Sequence, residues 1–298
     1  MKRFPPRRML VAADLSAPAL SALAAAKALA LRWGSALEIV HVQHPPMLSA
    51  WVGLEGMPAS VPTAEREPRR MVEERLRGAA AGFPSSRLKL RTIHGWPPAA
   101  LQELARPERA DLLVMGTHGY GGLDRALTGS VAEGLIRRAT IPVLVVPERK
   151  RVAGGARVLA PWNGRPYATR ALRWAREIAR GLGSTMDVLY VDEGGKALQD
   201  DAVMGRRLLA ALGTGPDWTL RKSSGDARAR IVAEANSGRF ELLVLSAHRR
   251  RFASDFVLGS TAERALRHTE IPILAVPSGR VRARLMRRLG ARVGARLY

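Results

Sequence analysis

Along the chain, short and chiefly apolar runs alternate with longer stretches in which apolar residues return every three or four positions. The runs at residues 9–13 (MLVAA), 37–42 (LEIVHV), 112–115 (LLVM) and 143–146 (VLVV) predict strands. Runs with so little polar alternation belong to a parallel sheet covered on both faces. The periodic stretches predict helices over 17–32, 66–81, 97–106 and 131–139, and Gly34 reads as a helix stop. Strands and helices taking turns in this way give the α/β class.

The second half of the chain restates the first. Residues 158–165 (VLAPWNGR) match 9–16 (MLVAADLS) and 186–191 (MDVLYV) match 37–42, both at an offset of 149. Further on, 241–249 match 111–119, 259–263 match 129–133 and 270–277 match 140–147, at an offset of 130. The 19-residue difference marks an insertion in the first copy, at about residues 44–64. Helices are predicted over 167–180, 196–212 and 226–237, with Gly183 as the counterpart of Gly34. Each copy is expected to be an open five-stranded parallel sheet flanked by helices. The expected boundaries are 1–148 and 157–278, with a charged, glycine-containing linker over 148–157, a basic tail over 279–298, and the copies packed face to face as a pseudo-dimer.

Composition changes this picture in two places. The 298 residues contain no cysteine, which excludes a disulfide framework, a thiolate metal site and a cysteine nucleophile. Against 26 Asp and Glu stand 48 Lys and Arg, a net charge of +22 that by itself would suggest a polyanionic partner. Half of that excess lies in two acid-free ends: Lys2, Arg3, Arg7 and Arg8 at the start, and seven arginines after residue 279. The body is thus only moderately basic. The opening MKRFPPRR followed by an apolar run has the outline of a secretory signal, but Asp14 and Lys27 interrupt it and the same strand and helix recur near residue 158. A cytoplasmic location is therefore expected, and no run is long enough to span a membrane.

Gly116-Thr-His-Gly119, nine intervening residues and Gly129-Ser130 lie between the strand at 112–115 and the helix at 131–139. Glycines at a strand end let backbone N–H groups approach a phosphate closely, and the first turn of the next helix offers further N–H groups with partial positive charge. In this context the spacing resembles the ATP-binding branch of the universal stress proteins, and the likeness covers about 9–147 and 158–277. The resemblance implies two tandem Rossmann-like units that bind ATP, with Mg2+ or Mn2+, across the carboxyl ends of the strands. It also implies that Ala12, Ala13 and Asp14 meet the base and ribose, that Val42 meets the adenine, and that Met115, Gly116, Gly119, Gly129, Ser130 and Val131 meet the ribose and phosphates. Ala12 departs from the proline frequent in the family.

The second copy departs further. Asn163 stands for Asp14, and Ser246 and Arg249 replace the loop glycines, although Gly259, Ser260 and Thr261 remain. One working nucleotide site per chain is expected, in the first copy. Each motif also has a plainer reading. Ser130 with Glu133 and Ser260 with Glu263 fit a capping box, Asp14 fits a helix cap, and His118 and His248 fit solvated loop positions. No histidines show metal-ligand spacing.

The apolar insertion, with Trp51, Leu54 and Met57, leaves three readings open: a lid, a partner surface, or packing on its own domain. In the tail, Val281, Leu285, Leu289 and Val293 among arginines form a basic amphipathic pattern, suited to an anionic surface or nucleic acid, while Gly290 and Gly294 favour a solubilising tail. Without a Walker A lysine or a positioned base, a nucleotide-binding stress-response or signalling module is expected ahead of a slow ATPase or a non-binding interaction protein. A homodimer of the whole chain is left open.

Overall fold

The first strand, β1 (Arg8–Ala12), sends Met9 and Val11 to one face of the sheet and Leu10 to the other, and all three are buried. A strand covered on both sides needs no polar alternation. The computed structural model describes residues 4–43, 69–106, 109–117, 130–194, 200–247, 249–252 and 255–278. The 44–64 insertion, His118, Gly119, Gly129, His248 and the tail from residue 279 lie outside the described residues.

Ser16 caps α1 (Ala17–Trp33): its Oγ accepts from the Ala19 N–H, and Gly34 closes the helix in the left-handed conformation at φ +68°. After it come β2 (Ala36–Gln43), α2 (Arg69–Ala79), β3 (Leu88–His94), α3 (Pro97–Leu104), β4 (Leu112–Gly116), α4 (Ser130–Arg138) and β5 (Val143–Val146). The second copy runs β6 (Val158–Pro161), α5 (Pro166–Leu182), β7 (Met186–Asp192), α6 (Asp201–Leu212), β8 (Trp218–Ser224), α7 (Ala227–Ala235) and β9 (Leu242–Ala247). It ends with a hairpin of β10 (Arg249–Phe252) and β11 (Asp255–Leu258), then α8 (Ser260–His268) and β12 (Ile273–Pro277). The helix expected over 196–212 is described from Asp201, because Asp200 caps it through the Ala202 and Val203 N–H groups. No capping box forms at Ser260: the helix begins there, Gly259 is the capping residue, and Glu263 pairs with Arg267 at 2.9 Å.

Ten strands form one sheet in the order β3-β2-β1-β4-β5-β12-β9-β6-β7-β8. Five parallel strands come from each copy, and the copies meet where β5 and β12 pair antiparallel. The expected face-to-face packing is thus corrected to an edge-to-edge junction, in which each copy's last strand covers the other's exposed edge. At its centre Leu144 pairs with Leu274, its own counterpart at the 130 offset. The contact is isologous, like that of a two-fold dimer.

Both faces of the sheet reinforce the junction. One apolar layer runs beneath α1, α2, α5 and α6, and the other beneath α3, α4, α7 and α8. On the first face Arg32 Nε donates to the Gly181 carbonyl at 2.5 Å, while Phe4 stacks edge-on against Trp33 and Trp174 at 5.2 and 6.2 Å. On the second, β11 lies against α4 and Arg267 reaches Glu133 at 3.8 Å. The second copy also holds a partly buried ion pair: the buried Arg176 grips both oxygens of Asp217 at 2.7 and 2.8 Å, and Arg180 adds a third bond at 2.7 Å. These guanidinium bonds hold the Asp217 carboxyl well below the usual carboxylate range.

Candidate functional site

In the order β3-β2-β1-β4-β5 the chain moves outward from β1 to one side through β2 and to the other through β4, so the topological switch point lies between β1 and β4. From there α1 leaves toward one face and α4 toward the other. The carboxyl end of such a pair of strands opens a crevice in which open α/β sheets bind ligands.

Seven of the residues singled out in the sequence, Ala12, Asp14, Val42, Met115, Gly116, Ser130 and Val131, lie at or just beyond the carboxyl ends of β1, β2 and β4 or at the start of α4. Register places Val11 beside Val114 and Ala12 beside Val40, so Ala12, Met115 and the end of β2 lie on three adjacent strands. Ala12, Val42 and Val131 all pack, partly exposed, on the apolar layer that contains Met115. Gly116 ends β4. Ala13 is different: its side chain belongs to the opposite layer, and its carbonyl accepts from His41 Nδ1 at 2.9 Å while its N–H continues the ladder to Val40. Any ligand contact it makes on the crevice side would come from backbone already engaged in hydrogen bonds. Ser130 begins α4, whereas Gly119 and Gly129 lie outside the described residues.

Asp14 is fixed by its neighbour. One oxygen, Oδ1, accepts from the Ser16 N–H at 3.0 Å and from Ser16 Oγ at 2.5 Å. Its other oxygen has no partner among the described residues. The turn is closed by Leu15 in the left-handed conformation at φ +65°, a strained position for a residue with a Cβ. At the 149 offset the second copy has Gly164, at φ +75°. That glycine is the sequence signal by which the strained residue could have been found.

Gly116 has a purely structural reason to be glycine. A Cβ there would lie 2.7 Å from the Pro18 carbonyl carbon and 2.9 Å from the Ala19 nitrogen, so the first turn of α1 rests directly on the end of β4. This packing locks the strand end to the helix whose cap orients Asp14. The second copy has Ser246 at the matched position, and its Oγ is buried without a hydrogen-bond partner. There the loop after the strand folds as the β10–β11 hairpin. Sequence inspection missed the hairpin, because RRRF shows no apolar alternation.

Among the described residues no group of three His, Asp or Glu side chains could hold a metal, and no helix is long and apolar enough to cross a membrane.

Comparisons with known proteins agree with this fold. The model of the universal stress protein family matches residues 6–147 and 156–277. Universal stress protein A homolog 1 of Coxiella burnetii is 34% identical over 144 residues, covering 47% of this chain and 95% of its own. Universal stress protein MJ0531 of Methanocaldococcus jannaschii is 49% identical over 59 residues, which are 20% of this chain and only 35% of that relative's length. The crystal structure of a universal stress protein from Archaeoglobus fulgidus superposes with a TM-score of 0.67 at 20% identity, covering 92% of this chain and 99% of the other. Two matched segments, each folded as a five-stranded α/β unit, account for most of the sequence: the chain belongs to the universal stress protein family, in a tandem form.

Proposed function

We propose that the first copy binds an adenine nucleotide, ATP, in the crevice between β1 and β4, and that the protein acts in stress response as a nucleotide-responsive binding module. One observation carries the reading: just beyond the end of β1, Asp14 is held by Ser16 with its second oxygen unengaged among the described residues, while Ala12, Val42 and Val131, at the ends of β1 and β2 and the start of α4, are partly exposed apolar positions. Such apolar positions suit the flat face of a base, and a fixed acceptor suits a ribose hydroxyl. The Gly-x2-Gly-x9-Gly-Ser spacing supports a phosphate site at the start of α4, where free N–H groups favour an anion. Mg2+ or Mn2+ would come with the phosphates of the nucleotide.

The two helices that leave the crevice also carry the junction between the copies. Through Arg32 and Trp33, α1 holds α5, while α4 meets β11 and Arg267. A ligand wedged between their first turns has a direct mechanical route to the packing of one copy on the other, provided it binds the two arrangements unequally. Output through conformation needs no catalytic base.

The test is the small-molecule content of the purified protein and of an Asp14→Ala variant. Mass spectrometry is expected to recover ATP, or AMP derived from it, from the wild type and about tenfold less from the variant, a loss that fits one charge-assisted hydrogen bond. Full occupancy in the variant would remove Asp14 from the site. Absence of nucleotide from the wild type, even after incubation with ATP, would favour a non-binding interaction protein.

A further inference from the structure

A second place on the molecule gathers three exposed arginines around a concave space, apart from the nucleotide crevice. A groove of about 580 Å3 opens between α5 and α6, on the sheet face opposite the β9–α8 connection. Its walls carry Arg165, Arg173 and Arg207 and no carboxylate. Arg165 and Arg207 have no ion-pair partner among the described residues, and Arg173 makes only a 3.4 Å bond from Nε to the Ala211 carbonyl. The floor is held in place: Trp162 is buried and its Nε1 donates to Thr169 Oγ1, which donates in turn to the Arg165 carbonyl.

The first copy lacks this charge at the matched positions. At the 149 offset Asp14 becomes Asn163, Ser16 becomes Arg165 and Ala24 becomes Arg173, each change moving the charge in the positive direction. The second replacement is the most telling. Ser16 caps α1 with a hydroxyl oxygen, whereas Arg165 occupies the same position on α5 and supplies no side-chain cap. A cation at the positive end of a helix is electrostatically unfavourable. Together with two more arginines around a concave space of small-ligand size, it is accounted for by an anion that all three share.

We propose that this groove binds a small molecule bearing a pyrophosphate or longer phosphate chain. Planar guanidinium forks match phosphate oxygens in pairs, and three of them on one groove fit several phosphoryl groups better than one. The site is independent of the nucleotide reading of the first copy.

Calorimetric titration of the full chain with inorganic pyrophosphate tests it. Saturable, salt-sensitive binding is expected in the wild type, weakened about tenfold or more in an Arg165→Ser/Arg207→Ala double variant. Arg206→Ala, an exposed arginine on the same helix but outside the groove, should leave it unchanged. Arg165→Ser also restores the cap of the first copy. Without anion that variant is expected to melt above the wild type, which shows that it folds, and pyrophosphate should raise its Tm less. An ATP titration in the Asp14→Ala background, with and without Arg165→Ser/Arg207→Ala, separates the sources: groove-dependent binding tighter than pyrophosphate points to a nucleotide, and weaker groove-dependent binding to an inorganic chain. Wild-type binding weaker than about 1 mM, affinity unchanged in the double variant, or an equal loss in Arg206→Ala would each overturn the proposal.

Discussion

Asp217 shows how one residue can govern part of the stability of a copy. Its carboxylate is shared by Arg176, which is 7% exposed, and by Arg180. Removing Asp217 strands the buried Arg176 charge, so Asp217→Asn is expected to cost about 2 kcal/mol in denaturant unfolding at neutral pH. Because the folded-state pKa is depressed, this contribution is fully present above the unfolded value of about 4 and is lost as pH falls below it. The gap between wild type and variant should therefore narrow on acidification below about pH 4; a constant gap down to pH 2 would contradict the role given to the ion pair. Gly116 acts at the same scale through shape. Its missing Cβ makes room for the backbone of Pro18 and Ala19, and Gly116→Ala is expected to cost about 1–3 kcal/mol, seen as a lower denaturation midpoint at unchanged m-value. An unchanged midpoint would mean that α1 moves aside freely. Sequence alone suggested phosphate approach for this glycine. The helix contact was hidden, because nothing in the residue pattern tells how closely α1 crosses β4.

Among the elements, the strands and helices were largely legible, since the apolar runs and the 3.6-residue periodicity arise from the same burial that holds them in the fold. Gly34 and Gly183 end their helices as expected, at φ +68° and +67°. The β10–β11 hairpin was not legible: an arginine run carries no alternation, and its pairing depends on a partner strand ten residues or fewer away rather than on burial. The way the copies meet was not legible either. Continuous apolar strands announce a covered sheet and are silent about which edge is joined. The helix pair α1–α5 offers a test of that junction. A Cβ on Gly181 would lie 2.8 Å from the Phe4 ring and 2.9 Å from Trp33 Nε1, so Gly181→Val is expected to destabilise the chain by about 1–3 kcal/mol while leaving far-UV circular dichroism at low temperature unchanged. Full stability in that variant would show that the aromatic cluster yields without cost.

For the whole molecule, the decisive feature is a single sheet shared by two copies. Apolar layers run across both faces of the junction, so neither copy can unfold without exposing the last strand and the cross-packed helix of the other. Scanning calorimetry is accordingly expected to show one transition whose calorimetric and van't Hoff enthalpies agree; two separated transitions would mean that the copies are independent. The +22 charge takes on a different sense at this scale. Part of it belongs to the chain ends, and another part lines the α5–α6 groove, while Asp14 stands at the end of β1 in the first copy. The copies thus differ in character at matched positions: one has Asp14, Ser16 and Gly116 where the other has Asn163, Arg165 and Ser246.

That difference makes the stoichiometry of nucleotide binding the most direct measurement of the central claim. Isothermal titration with ATP of the nucleotide-free chain carrying Arg165→Ser/Arg207→Ala, which removes the α5–α6 groove, should give one site per chain, weakened about tenfold in Asp14→Ala and unchanged in Asn163→Ala. Two equivalent sites, or binding unchanged in Asp14→Ala and weakened in Asn163→Ala, would contradict the assignment of nucleotide binding to the first copy.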